Sequence, residues 1–146
     1  MGLAHELGSL FERDLEHLQI EADAYAHEEQ LWQLVEGIRN SGGNLILHIC
    51  GNLQHYIGAN LGESGYERDR AFEFSGRVTR GALAETIDIT RHVVLTYLAD
   101  VSEQKLSEPY TAESFDHPMT TSHFLIHLYG HMRYHLGQIN YHRRMV

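Results

Sequence analysis

Apolar residues recur at three- and four-residue intervals along most of the chain, and the recurrence predicts four long helices. Over residues 3 to about 25, Leu3, Leu7, Leu10, Phe11, Leu15 and Leu18 form one stripe, while Glu6, Glu12, Asp14, Glu16 and Glu21 mostly fill the other side. Residues 27–36 (HEEQLWQLVE) make a shorter amphipathic piece that Trp32, the only tryptophan, is expected to anchor. The stretch 37–43, GIRNSGG, is turn material, and Asn40 or Ser41 can cap the next helix. That second long helix is expected over about 42–61, where Leu45, Ile46, Leu47, Ile49, Leu53, Tyr56 and Ile57 leave it apolar nearly all round. Such a helix is buried. One narrow polar line, Asn44, His48, Gly51, Asn52 and His55, runs along it and needs partners, because unpaired buried polar groups are costly.

Residues 62–77 combine glycine and charge without a helical period and read as an ordered loop. Thr79 then caps a third helix over about 80–101, with Leu83, Ile87, Val94, Leu98 and Val101 inward. Pro109 and Pro118 bar a continuous helix over 102–118, and Thr120, Thr121 or Ser122 caps the fourth. No strand alternation extends beyond a few residues. The pattern therefore predicts an all-α, four-helix bundle with a short extra helix between the first and second, in one domain spanning 1–146.

Composition narrows the function classes. With 42% hydrophobic and 21% charged residues the 146-residue chain has the balance of a globular protein, and no apolar run approaches the ~20 residues a membrane span requires. The N-terminus reads as the start of an amphipathic helix rather than a signal peptide, and Glu6 stands where a myristoylation signal wants Ser or Thr. A single cysteine, Cys50, excludes an internal disulfide and suits a reducing compartment, so a cytoplasmic location is expected. A net charge of −9 argues against binding nucleic acid. Phe11, Trp32, Val93 and Tyr97 together exceed what one bundle interior needs, which points to a homodimer.

The candidate chemistry lies in the last helix. His123, His127, His131 and His135 recur every four residues, and His142 comes seven later. Residues four apart on a helix stand above one another, so a His-x-x-x-His pair can aim two ring nitrogens at one metal ion. Twelve histidines could equally reflect composition alone. The polar line of the second helix adds the missing partner, and His48 with His131 and His135 makes a three-imidazole set that leaves coordination positions free. Cys50 is two residues from His48 and so faces away, reading as a buried core thiol. His55, two turns along from His48, competes as a ligand or serves the ligands from behind, while Asn44, Asn52, Gln138 and His142 are candidates to support the ligands from behind or to meet substrate. Gly51 and Gly58, like Gly130 and Gly137, are seven apart and flank these histidine lines, which suits either close helix approach or room above a site.

The segments LILHICGN and HMRYHLGQINYHRR resemble the DinB-like (YfiT-like) superfamily of metalloenzymes, HMRYHLGQINYHRR being similar to that family's His-x-x-x-His-x-Gly-Gln signature. EEQLWQLVEGIRNSGGN is similar to the family's connector before its second helix. The resemblance implies a four-helix bundle of unusual connectivity, often dimeric, holding a divalent metal through three histidines that correspond to His48, His131 and His135. It also implies transferase or isomerase chemistry with low-molecular-weight thiols, although many members have no known activity. Leu136 stands where many relatives carry arginine, and LVEG where a proline is common.

Two function classes are open on these grounds. One is a divalent-metal-dependent enzyme, a thiol-dependent transferase or a hydrolase acting on a small molecule, with zinc or nickel at the site, His55, His142 or a metal-bound hydroxide as general base, and Asn52 and Gln138 orienting substrate. The alternative is a non-catalytic metal-binding stress-response bundle that engages a protein partner, with His55 closing the coordination sphere. A third reading places haem between His48 and His131.

Overall fold

The computed structural model describes residues 2–146. Four long helices carry the fold: α1 (Leu3–Asp23), α2 (Gly42–Leu53), α4 (Arg80–Asp100) and α6 (Thr121–Met145). Two short ones, α3 (Arg70–Ser75) and α5 (Glu103–Ser107), lie in the connections. Between α1 and α2 the chain makes a 3₁₀ turn, Glu28–Trp32, at the position expected for the short extra helix. Both α1 and α2 pack against α4 and α6, so the order around the bundle is α1, α4, α2, α6.

Capping fixes the helix starts. The Ser41, Thr79 and Thr120 hydroxyls accept the backbone N–H of Asn44, Ala82 and His123, each satisfying a donor that the first turn leaves free. Most of the predicted stripes are the observed core, though Leu3 is exposed and Leu10 and Val101 are half-buried. Phe11, Leu15, Leu18, Ile46, Ile49, Leu83, Val94, Leu125 and Ile139 are all at most 1% exposed. Tyr129 packs over Phe11, their rings meeting edge-on at 5.3 Å, so Phe11 is used within the single chain.

Three expectations change. Residues 62–77 are not all loop: Asp69 accepts the backbone N–H of Phe72 and starts α3, a helix too short to show a period. Residues 102–118 are not wholly irregular either, since Ser102 caps α5 and Pro109 bridges to Thr120. The second helix is continuous from 42 to 61 but widens into a π-helix over Gln54–Leu61. None of the helices is long and apolar enough to cross a membrane, among the described residues.

Two buried carboxylates tie α1 to α6. Asp14 accepts from Arg13 and from the Tyr129 hydroxyl (2.6 Å), with Arg133 3.3 Å away; Glu21 accepts from Asn140 and Arg143, both at 2.6 Å. Burial pushes both carboxyls up, but these hydrogen bonds and positive charges outweigh it, and both titrate below their ordinary values of 3.8 and 4.5. The unfolded chain therefore takes up protons first as pH falls. Stability from these pairs is fully present above about 4.5 and is lost as pH drops through the depressed folded values. Urea midpoints should fall steeply below pH 4, and Asp14→Asn with Glu21→Gln should flatten that fall while lowering the midpoint at pH 7.

The glycine pairs divide. A Cβ on Gly58 would crowd Val93 and Ser64, so the π-helix is in close contact with α4 there. A Cβ on Gly130 or Gly137 would meet nothing within 4 Å, so close helix approach does not explain those two. Alanine at Gly137 should stabilise the fold by ~0.5–1 kcal/mol through helix propensity alone, a rise readable in the thermal midpoint.

Candidate metal centre

The α2 helix carries His48 and α6 carries His131 and His135, and the contact between these helices brings the three rings together. The Nε2 atoms of His48 and His131 are 3.2 Å apart, and those of His131 and His135 3.1 Å. One ligand atom from each residue lies within 4.8 Å of the others. Four-residue spacing on α6 explains the second pair. The first requires α2 to present its polar line to α6, which it does by burying every other side, Cys50 included, in the core.

The groups behind the rings decide their tautomers. Glu73 Oε1 lies 2.9 Å from His48 Nδ1, and Gln138 Oε1 lies 2.7 Å from His135 Nδ1. An ionised carboxylate and an amide oxygen only accept, so both Nδ1 atoms carry protons and, in the neutral rings, both Nε2 atoms present lone pairs. These lone pairs face His131 Nε2. One proton there would satisfy only one of its neighbours, and the His131 Nδ1 is itself buried without a partner. One proton therefore cannot serve both lone pairs. A cation at the convergence would take all three Nε2 lone pairs, with the His131 proton on Nδ1, and a tetrahedral ion with arms of ~2.0–2.1 Å separates its nitrogens by roughly 3.3 Å. The donor set, three neutral imidazoles, suits zinc and nickel among other divalent ions. Burial first, then the charges of His135 and His48, bring the His131 pKa down to about 4, and burial holds His135 down as well. Both stay unprotonated donors at neutral pH.

Glu73 is the feature that sequence reasoning missed. It sits in α3, 4% exposed, with its carboxylate gripped by Arg68 through Nε at 2.8 Å and Nη2 at 2.9 Å. Burial raises its pKa, but the hydrogen bonds from Arg68 and His48 prevail and keep it ionised. Gly51 makes its approach possible, since a Cβ there would collide with that carboxylate. Asn44, expected behind a ring, instead donates from Nδ2 to the carbonyls of Glu73 (3.1 Å) and Gly76 (2.9 Å) and so pins α3 onto α2. The only forward signal was Asp69 as an N-cap, with Phe72 and Phe74 after it in a stretch too short to show a period.

Gln138 and Asn52 are at the site, Gln138 on His135 and Asn52 in the cavity beside His48 and His131. His55 and His142 are not. His55 is seven residues from His48, roughly 10 Å along the helix, and its Nε2 pairs with Glu113 at 3.1 Å. His142 is 2% exposed and wholly used in packing, with Nδ1 2.7 Å from the Tyr25 hydroxyl and Nε2 2.7 Å from the Gln33 carbonyl. His123 and His127 are exposed on α6. Cys50 is buried, and burial pushes its thiol up to about 12, as expected of a core residue. The 3.2 Å between His48 and His131 leaves no room for a porphyrin, so the haem reading fails.

Fold and site together define an all-helical bundle whose three-histidine group could hold a metal ion. A family model of the DinB superfamily matches residues 11–139, and the chain belongs to that superfamily. It is similar in fold to the crystal structure of a conserved protein from Enterococcus faecalis, with a TM-score of 0.83 and 17% identity over 100% of this chain and 98% of that one. A DinB-like protein from Bacillus cereus superposes with a TM-score of 0.69 and 19% identity over 90% of this chain and 84% of that one. No curated protein matches the chain.

Proposed function

We propose that this chain is a divalent-metal-dependent enzyme acting on a small molecule, a thiol-dependent transferase or a hydrolase, with the ion held by His48, His131 and His135. The observation that carries the reading is the lone-pair convergence, enforced from behind by Glu73 and Gln138. A divalent ion there would supply Lewis acidity, bringing a thiol or water ligand towards ionisation near neutral pH.

The protein's own contributions are positional. Glu73 and Gln138 hold two rings with Nε2 inward. Arg68 keeps Glu73 charged, and through it the His48 tautomer. A cavity of about 240 Å³ opens beside His48 and His131 and limits the substrate to a small molecule. The rival, a closed non-catalytic site, needs a fourth protein ligand. His55 is turned to Glu113 and Cys50 is in the core, so three ligands with open positions is the better-supported arrangement.

The test is a screen of ester hydrolysis and of thiol transfer to electrophiles, run on chelator-stripped protein, reloaded protein and His131→Ala. Turnover that appears only on reloading and is absent from His131→Ala supports the reading. Turnover indifferent to chelation, or no turnover by protein shown to carry the ion, counts against it.

A further inference from the structure

The cavity beside the histidines holds one cation that nothing in the fold neutralises. Two arginines line it. Arg68 is committed: its guanidinium is bound twice by Glu73 and lies 5.8 Å over the Tyr56 ring. Arg70 makes no salt bridge or side-chain hydrogen bond among the described residues, its guanidinium resting 5.2 Å over Phe74 at the solvent side. Since Glu73 balances Arg68, Arg70 is the unpaired charge on the cavity wall among the described residues.

The remaining lining has a consistent chemistry. Tyr56 meets Phe124 edge-on at 5.1 Å, and Phe115 lies 5.1 Å from Phe124, giving the cavity aromatic walls. Flat apolar bodies pack well against such rings. Asn52, only 7% exposed, lines the same cavity with its Oδ1 buried and unpartnered. An orphaned buried acceptor of this kind is rare in folded proteins and calls for a donor, which a ligand in the cavity can supply. At about 240 Å³ the space lies below that of drug-sized ligand sites and suits roughly one ring with short substituents.

We infer that the cavity takes a small aromatic carboxylate, its anionic group paired with Arg70, its ring against Tyr56, Phe115 and Phe124, and a hydroxyl or amino substituent donating to Asn52. This names the substrate class of the proposed metal site and rests on that reading for its catalytic meaning. The choice of carboxylate over a larger phosphate ester comes from the single unpaired arginine and the small volume. The ring comes from the aromatic lining of Tyr56, Phe115 and Phe124.

Calorimetric titration tests it, with benzoate as probe, benzamide as the uncharged match in shape, and acetate as the charge without the ring. Wild-type protein should bind benzoate at least about tenfold tighter than either control. Arg70→Gln should weaken benzoate roughly 10- to 100-fold, the range for a hydrogen bond to a charged group, while its metal content and thermal midpoint stay unchanged. 4-Hydroxybenzoate should bind tighter than benzoate in wild type and lose that advantage in Asn52→Leu. Each titration is repeated after chelation, with metal content measured on the same samples. Arg70-dependent benzoate binding that survives chelation supports the ligand class, even if the metal reading fails. Equal affinity for benzoate and benzamide, full affinity in Arg70→Gln, or benzoate binding that vanishes with the ion would each overturn it.

Discussion

Alanine at His131 or His135 should leave the purified protein without its divalent ion, while alanine at His123 should leave the metal content untouched. His131 is central to the cluster, with its Nε2 3.2 Å from one neighbour and 3.1 Å from the other. Removing it leaves two nitrogens on different helices and no third donor within reach, among the described residues. A site reduced to two imidazoles loses affinity by orders of magnitude, because each ligand contributes several of the ~10–16 kcal/mol of a structural zinc site. His123 shares the helix and the residue type but is exposed in the first turn, so it controls for a general effect of losing histidine.

The second large effect is expected at Glu73. Glu73→Gln keeps the shape but loses the charge, so Arg68 is left without its ion partner and His48 with a neutral amide oxygen in place of a charged acceptor. Loss of such a supporting group costs 10- to 100-fold in metal affinity. Gly51→Ala should have a similar effect by a different route, because the added methyl occupies the space of the carboxylate. Competition titrations against a chromogenic chelator read both. An affinity unchanged in Glu73→Gln would mean that the carboxylate holds α3 in place and does nothing for the ring.

The two effects differ in how far the sequence foretold them. The four-residue spacing of His131 and His135 and the polar line through His48 were legible, because helical periodicity converts spacing directly into a shared face. The starts of the long helices were legible for the same reason, Ser41, Thr79 and Thr120 being polar residues ahead of apolar stripes. Glu73 was not. It reaches His48 from a six-residue helix across 25 residues of chain, through a gap that exists only because Gly51 has no side chain. A glycine in a buried helix signals a close approach without naming the group that makes it. His142 misled for the opposite reason: it lies on the same face as His135, but the packing of Tyr25 and Gln33 against the end of α6 takes both its nitrogens. His55 erred by distance rather than direction, a same-side residue two turns too far along.

X-ray absorption at the edge of the bound metal tests the central claim most directly, on protein carrying one equivalent of zinc or nickel. The expected result is a shell of three imidazole nitrogens at ~2.0–2.1 Å completed by light atoms from solvent, and loss of that shell in His131→Ala. A sulfur scatterer near ~2.3 Å, or an unchanged shell in His131→Ala, would place the ion elsewhere and contradict the three-histidine site.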